Sequence, residues 1–163
     1  MTRAQYLYLS FMSLGLVAFA VVLQQVGYQG VSFLPCPLCI LQRVAYLGIA
    51  MACLGAYFSN ALRRFFHVLA STFSLFGLGV VFRHIWVIFH PTVSCGLDPL
   101  EVWINQWAIV RWFDWLLKAD GLCSAPLPPI LGLTVPFWSL VWLTAITTIL
   151  LLTLVSALNK KAN

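Results

Sequence analysis

Charge is what this chain has least of: Asp, Glu, Lys and Arg make up 8% of its 163 residues, and only four of them are acidic. Soluble globular domains carry about a quarter charged residues, so an ordinary water-soluble fold is excluded. The nine Lys and Arg give a net charge of +5, but they stand singly or in pairs. That spread excludes the basic stripe a nucleic-acid surface needs. Internal repeats, low-complexity tracts and a sustained heptad are absent too, which excludes solenoids and coiled coils.

What is there is apolar: 62% of the residues are hydrophobic. Four runs, at about 7–26, 40–58, 65–82 and 137–158, are long enough to cross about 30 Å of hydrocarbon. The predicted fold is therefore an all-α membrane protein, a four-transmembrane-helix bundle forming one integral domain over residues 1–163. Arg3, the Arg63/Arg64 pair and the Lys160/Lys161 pair fall at the N-terminus, the second connection and the C-terminus. Four crossings put these on one side, which the positive-inside rule makes cytoplasmic. Loops at about 27–39 and 83–136 then face the opposite, oxidising compartment. The first run contains Ala18-Phe19-Ala20 but continues through Val21, Val22 and Leu23, so cleavage as a signal peptide is not expected.

The second outer loop holds all four acidic residues, Asp98, Glu101, Asp114 and Asp120, together with most of the prolines. Function on the outer face is expected there. Within it, Leu100 to Lys118 has neither Gly nor Pro and carries Trp103, Trp107, Trp112 and Trp115. This predicts a short interfacial helix whose indoles sit at headgroup level.

The chemistry lies in the cysteines. Cys36 and Cys39 straddle one turn at the start of the second span, where unpaired N–H groups and the positive helix end favour a thiolate. Pro37 suits the first turn, since its missing N–H has no partner to lose. Arg43, one turn deeper than Cys39, adds a fixed positive charge; an arginine at this depth is costly and marks a functional candidate. The alternatives for it are snorkelling to headgroups or pairing with an outer carboxylate such as Asp98. A bridge between Cys95 and Cys123 would restrict the unfolded chain by about 3.5 kcal/mol, enough for a purely structural staple. Beside Cys36/Cys39 on the same side, however, two dithiols can relay electrons by exchange. Cys53 reads as a small core hydrophobe. A zinc site made of all four outer thiolates is not expected, because Cys95 and Cys123 lack ligand spacing and face an oxidising compartment.

Four segments, Pro-Cys-Pro-Leu-Cys-Ile-Leu-Gln-Arg at 35–43, Phe-Arg-His-Ile-Trp at 82–86, Cys-Gly-Leu-Asp at 95–98 and Leu-Gly-Leu-Thr-Val-Pro-Phe-Trp-Ser-Leu at 131–140, resemble the disulfide bond formation protein B family in order and topology. The resemblance implies a thiol:quinone oxidoreductase of the bacterial inner membrane that reoxidises a periplasmic, DsbA-type thioredoxin-fold oxidase. By it, Cys95 takes the mixed disulfide with the partner and Cys123 resolves it. Cys36/Cys39 accept the electrons through exchange between Cys36 and Cys123, leaving Cys39 as the thiolate facing ubiquinone or menaquinone. Arg43 corresponds to the quinone-site arginine and His90 to the quinone-proximal histidine, with His84 the alternative. Two rival readings remain: a non-catalytic membrane assembly protein with a disulfide-stapled outer loop, and a b-type cytochrome using His67, His84 or His90. The latter is disfavoured because His67 falls near the inner end of its span and the others near the outer end.

Overall fold

The computed structural model describes residues 1–31, 33–90, 99–121, 123 and 128–162. Four long helices dominate it: α1 (Arg3–Val26), α2 (Pro37–Phe58), α3 (Arg63–Phe89) and, after two short helices, α6 (Val135–Ala162). All four are long and apolar enough to cross a membrane, so the chain is a multi-pass membrane protein. Among the described residues there is no strand longer than an isolated bridge.

The helix starts are set by local chemistry. Thr2 and Gln5 close a reciprocal capping box on α1. Cys36 caps α2 with its own sulfur, which accepts from the Cys39 amide at 3.3 Å, and Pro37 follows inside the first turn. Between α1 and α2 the chain reverses in a tight turn at Tyr28–Val31. Gln29 and Gly30 both have positive φ there, as a type I′ turn demands.

α2 packs against both α1 and α3, and α6 packs against α3. The shared core contains Leu9, Ile49, Cys53, Val81, Leu143 and Ile146, so Cys53 is the core residue expected of it. Toward the end opposite the cysteines, His67 holds three helices together. Its Nε2–H donates to the Leu150 carbonyl at 3.0 Å, and its Nδ1 accepts from the Tyr6 hydroxyl at 2.8 Å. Tyr6→Phe leaves that buried nitrogen without a donor and is expected to cost about 1–3 kcal/mol, read as a lower unfolding midpoint in detergent with secondary structure retained.

Two sequence-based boundaries shift. α3 does not stop near Phe82 but runs to Phe89. Val80, Val81, His84 and Val87 continue its buried face, while Arg83 stays outside with its guanidinium 4.6 Å over the Trp86 ring. Neither Gly nor Pro interrupts this stretch, and the helix ends where His90 precedes Pro91, a position that disfavours helical geometry. Nor is the stretch from Leu100 to Lys118 one helix. It comprises α4 (Pro99–Asn105), a single 3-10 turn over Ala108–Arg111 and α5 (Asp114–Leu117). Ile104, Val110, Leu117 and Ala119 must all reach the outer end of α2 around Ile40, which no single straight helix face allows. Asn105 fixes the fold-back by exchanging two hydrogen bonds with the Ala119 backbone, at 2.9 and 3.0 Å. Trp103, Trp112 and Trp115 remain exposed, the belt expected of an interfacial segment.

Candidate redox site

Everything that positions the reactive groups converges on the start of α2. Cys36 is 2% exposed and Cys39 half-buried; both are free thiols, with their sulfurs 3.0 Å apart. The Cys36 thiol donates to the Cys39 sulfur. Burial pushes the Cys36 thiol well above its ordinary value, and the hydrogen bond to Cys39 adds to the effect. The helix N-terminus alone favours a thiolate at either position; at Cys36 desolvation outweighs it.

The outer loop is tied to this point through backbone. The amides of Asp120 and Gly121 both donate to the Pro35 carbonyl, at 3.0 and 3.1 Å. Cys123, two residues on, is buried in one cluster with Cys36, Leu38 and Val87 and is disulfide-bonded. Cys95 lies outside the described residues. A Cβ at Gly121 would overlap the Leu34 carbonyl oxygen, which is backbone and cannot turn away. Gly121→Ala is therefore expected to lift the loop from Pro35, at a cost of about 1–3 kcal/mol. Cys36, now 2% exposed, should become more reactive toward a thiol-specific alkylating reagent while the helices stay folded, which timed labelling read by mass spectrometry would show.

Below the thiols opens a cavity of about 640 Å³, within the range of small-molecule sites. Its polar end is formed by Cys39, Gln42, Arg43 and His84, and its walls by apolar residues of α1 and α6 such as Leu16, Phe19 and Trp142. Arg43 is 6% exposed, so it does not snorkel. It also has no carboxylate among its described partners. One guanidinium nitrogen donates to Gln24 Oε1 at 2.8 Å and to the Leu116 carbonyl at 2.7 Å, and the other reaches the Ala20 carbonyl at 3.5 Å. Neutral acceptors hold the group in place without cancelling its charge.

The structure places His84, rather than His90, in the cavity wall. His90 is exposed at the end of α3, stacked on Trp86, with its Nδ1–H on the Trp86 carbonyl at 2.9 Å. His84 is 3% exposed. Its Nδ1 faces the Gln42 amide at 3.0 Å, and its Nε2 lies 3.7 Å from the Cys36 sulfur. Gln42 carries no sequence signal of its own beyond standing beside Arg43 in the same motif. Gln24, a polar residue inside an apolar run, was the available sign of a partner for Arg43. The three histidines share no facing pair: both nitrogens of His67 are occupied and His90 points outward, which removes the basis for haem ligation.

A second cleft, of about 550 Å³ between α2, α3 and Trp107, is lined by apolar residues alone. It offers no chemistry of its own.

Residues 2–153 match the family described as "Disulfide bond formation protein DsbB". The chain is 42% identical to a "Disulfide bond formation protein B" of Ralstonia nicotianae over 161 residues, covering 98% of this chain and 96% of that one. It is 44% identical to the protein of that name from Herminiimonas arsenicoxydans, covering 92% and 91%. With a "Disulfide bond formation protein B 1" of Pseudomonas fluorescens the identity is 39%, over 78% and 76%.

Proposed function

The chain belongs to the disulfide bond formation protein DsbB family, and from that premise we propose how its cysteines form disulfides: a periplasmic DsbA-type thiol oxidase is reoxidised and its electrons pass to a membrane quinone. The observation that carries this reading is the meeting of two cysteine systems at one cavity. Free Cys36 and Cys39, disulfide-bonded Cys123 and the charged Arg43 all line it.

In the proposed cycle a thiolate of the partner attacks Cys95 of a Cys95–Cys123 disulfide and expels Cys123 as thiolate. The partner's second thiol resolves the mixed disulfide and leaves oxidised. Cys123 then attacks Cys36 of an oxidised Cys36–Cys39 pair, and Cys39 departs as the thiolate. The assignment of electrophile and leaving group fits the environment. Buried Cys36 needs no charge to be attacked, whereas the α2 N-terminus and Arg43 stabilise the charge that Cys39 acquires. Cys95 attacks Cys123 to restore the loop disulfide and frees Cys36, so two electrons have moved from the partner dithiol to Cys36/Cys39. A quinone, when bound, supplies the two-electron acceptor that returns this pair to the disulfide.

The residues present fit such a group. Hydrogen-bond donors from Arg43, Gln42 and His84 stand at one end, suited to ring carbonyls, and a long apolar wall suits an isoprenoid tail. Ubiquinone and menaquinone present the same two carbonyls, and either serves. The clustering of Arg3, Arg63, Arg64, Lys160 and Lys161 on one side supports a bacterial inner-membrane orientation with the active cysteines facing the periplasm.

The test is quinone reduction by the purified protein in detergent, with a reduced thioredoxin-fold oxidase as donor. Turnover is expected with ubiquinone or menaquinone. A reduced partner lacking its second thiol should open the Cys95–Cys123 disulfide and accumulate as a mixed disulfide on Cys95, and Cys95→Ser should abolish that complex. Folded protein with no turnover on either quinone would leave only the stapled, non-catalytic reading.

A further inference from the structure

We propose that, when reduced, Cys36, Cys39 and His84 form a three-ligand site for a thiophilic divalent cation of the zinc–cadmium type, and that its capture locks the dithiol against oxidation. The binding needs only the geometry; its effect on turnover rests on the function proposed above. Within this trio the two sulfurs and a ring nitrogen all lie within 4.8 Å of one another. A tetrahedral ion with metal–sulfur bonds of about 2.3 Å and metal–nitrogen bonds of about 2.0 Å sets its ligand atoms roughly 3.5–3.8 Å apart. The Cys36 sulfur and His84 Nε2 are already 3.7 Å apart, and the two sulfurs, at 3.0 Å, need only a modest outward rotation. The fourth position opens into the cavity that all three residues line.

The surroundings already resemble a second coordination layer. The Cys39 amide donates to the Cys36 sulfur at 3.3 Å, and the ion's own charge offsets the burial that otherwise keeps this thiol protonated. Gln42 holds His84 Nδ1 at 3.0 Å. A half-turn of that amide presents its carbonyl to an Nδ1–H, leaving the Nε2 lone pair directed at Cys36. Binding releases two thiol protons and transfers no electrons, so the two thiolates neutralise the ion. Arg43, the fixed positive charge of this end of the cavity, opposes any excess of positive charge and restricts the site to ions that take both thiolates. An oxidised Cys36–Cys39 pair has no thiolate to offer, so capture is confined to the reduced enzyme.

Cadmium titration of the intact protein in detergent, reduced with a phosphine under anaerobic conditions, reads this directly through the thiolate-to-metal ultraviolet band. One cadmium per chain is expected at this site in the reduced protein and none in the oxidised protein. The site should survive Cys95→Ser/Cys123→Ser and disappear in Cys36→Ser/Cys39→Ser. His84→Ala should weaken it at least about tenfold, and Gln42→Leu by about 10–100-fold, as loss of a support to a ligating histidine does. Gln42→Glu, which keeps an acceptor for Nδ1–H, should retain it. Circular dichroism confirms that each variant is folded. Unchanged affinity in both His84→Ala and Gln42→Leu, or loss of the site in the Cys95/Cys123 variant, would overturn the proposal. Because binding is measured without quinone or partner, its failure is separable from failure of the proposed reaction.

Discussion

Cys39→Ser is expected to lower quinone reduction by more than about 10³-fold, since removing a covalently acting group routinely costs at least that much. A serine oxygen can neither form the disulfide nor depart carrying the electrons, so the path from Cys123 ends at Cys36. The fold should tolerate the change: the Cys39 backbone amide, not its side chain, makes the cap to Cys36, and the side chain is only half-buried. The blocked variant should still exchange at the loop. Mixed with reduced partner, it should oxidise one equivalent and stop, whereas wild type continues while quinone lasts. Sustained turnover in Cys39→Ser would remove Cys39 from the electron path.

Arg43→Ala is the second large effect. Its guanidinium joins α1 through Gln24, the outer segment through Leu116 and its own helix at the cavity's polar end. A hydrogen bond to a charged group is worth about 1.5–3 kcal/mol, or roughly 10–150-fold in affinity for an acceptor in the cavity. The expected result is a KM for quinone raised by that factor with the KM for the protein donor nearly unchanged. Equal changes in both would show that the arginine supports the loop rather than the quinone. Arg43→Lys should recover only part of the effect, because an ammonium cannot reproduce the planar fork that bridges two elements.

Much of this was legible along the chain. Run length gave the four spans, and the Cys-Pro-Leu-Cys spacing put both thiols at the start of α2. What stayed hidden depended on contacts between distant segments. That α3 carries His84 inward and His90 outward follows from which face meets α2, a fact absent from local periodicity. Arg43's neutral partners lie on α1 and in the outer segment, and nothing local to Arg43 names the Leu116 carbonyl. The broken course of residues 100–118 arises because its apolar residues are drawn to α2 from several directions at once. Helical spacing alone could not foresee this.

The double hydrogen bond to the Pro35 carbonyl has a kinetic consequence. From Gly121 to Cys123 the chain advances two residues, and at about 3.3–3.6 Å per residue its reach is roughly 7 Å. A sulfur confined to a sphere of that radius has an effective concentration on the order of 1 M toward a neighbour inside it. With the loop docked, the proposed exchange between Cys123 and Cys36 is an encounter between neighbours rather than a search. In the proposed relay two backbone amides therefore set the encounter frequency, and the two sulfurs set only the chemistry.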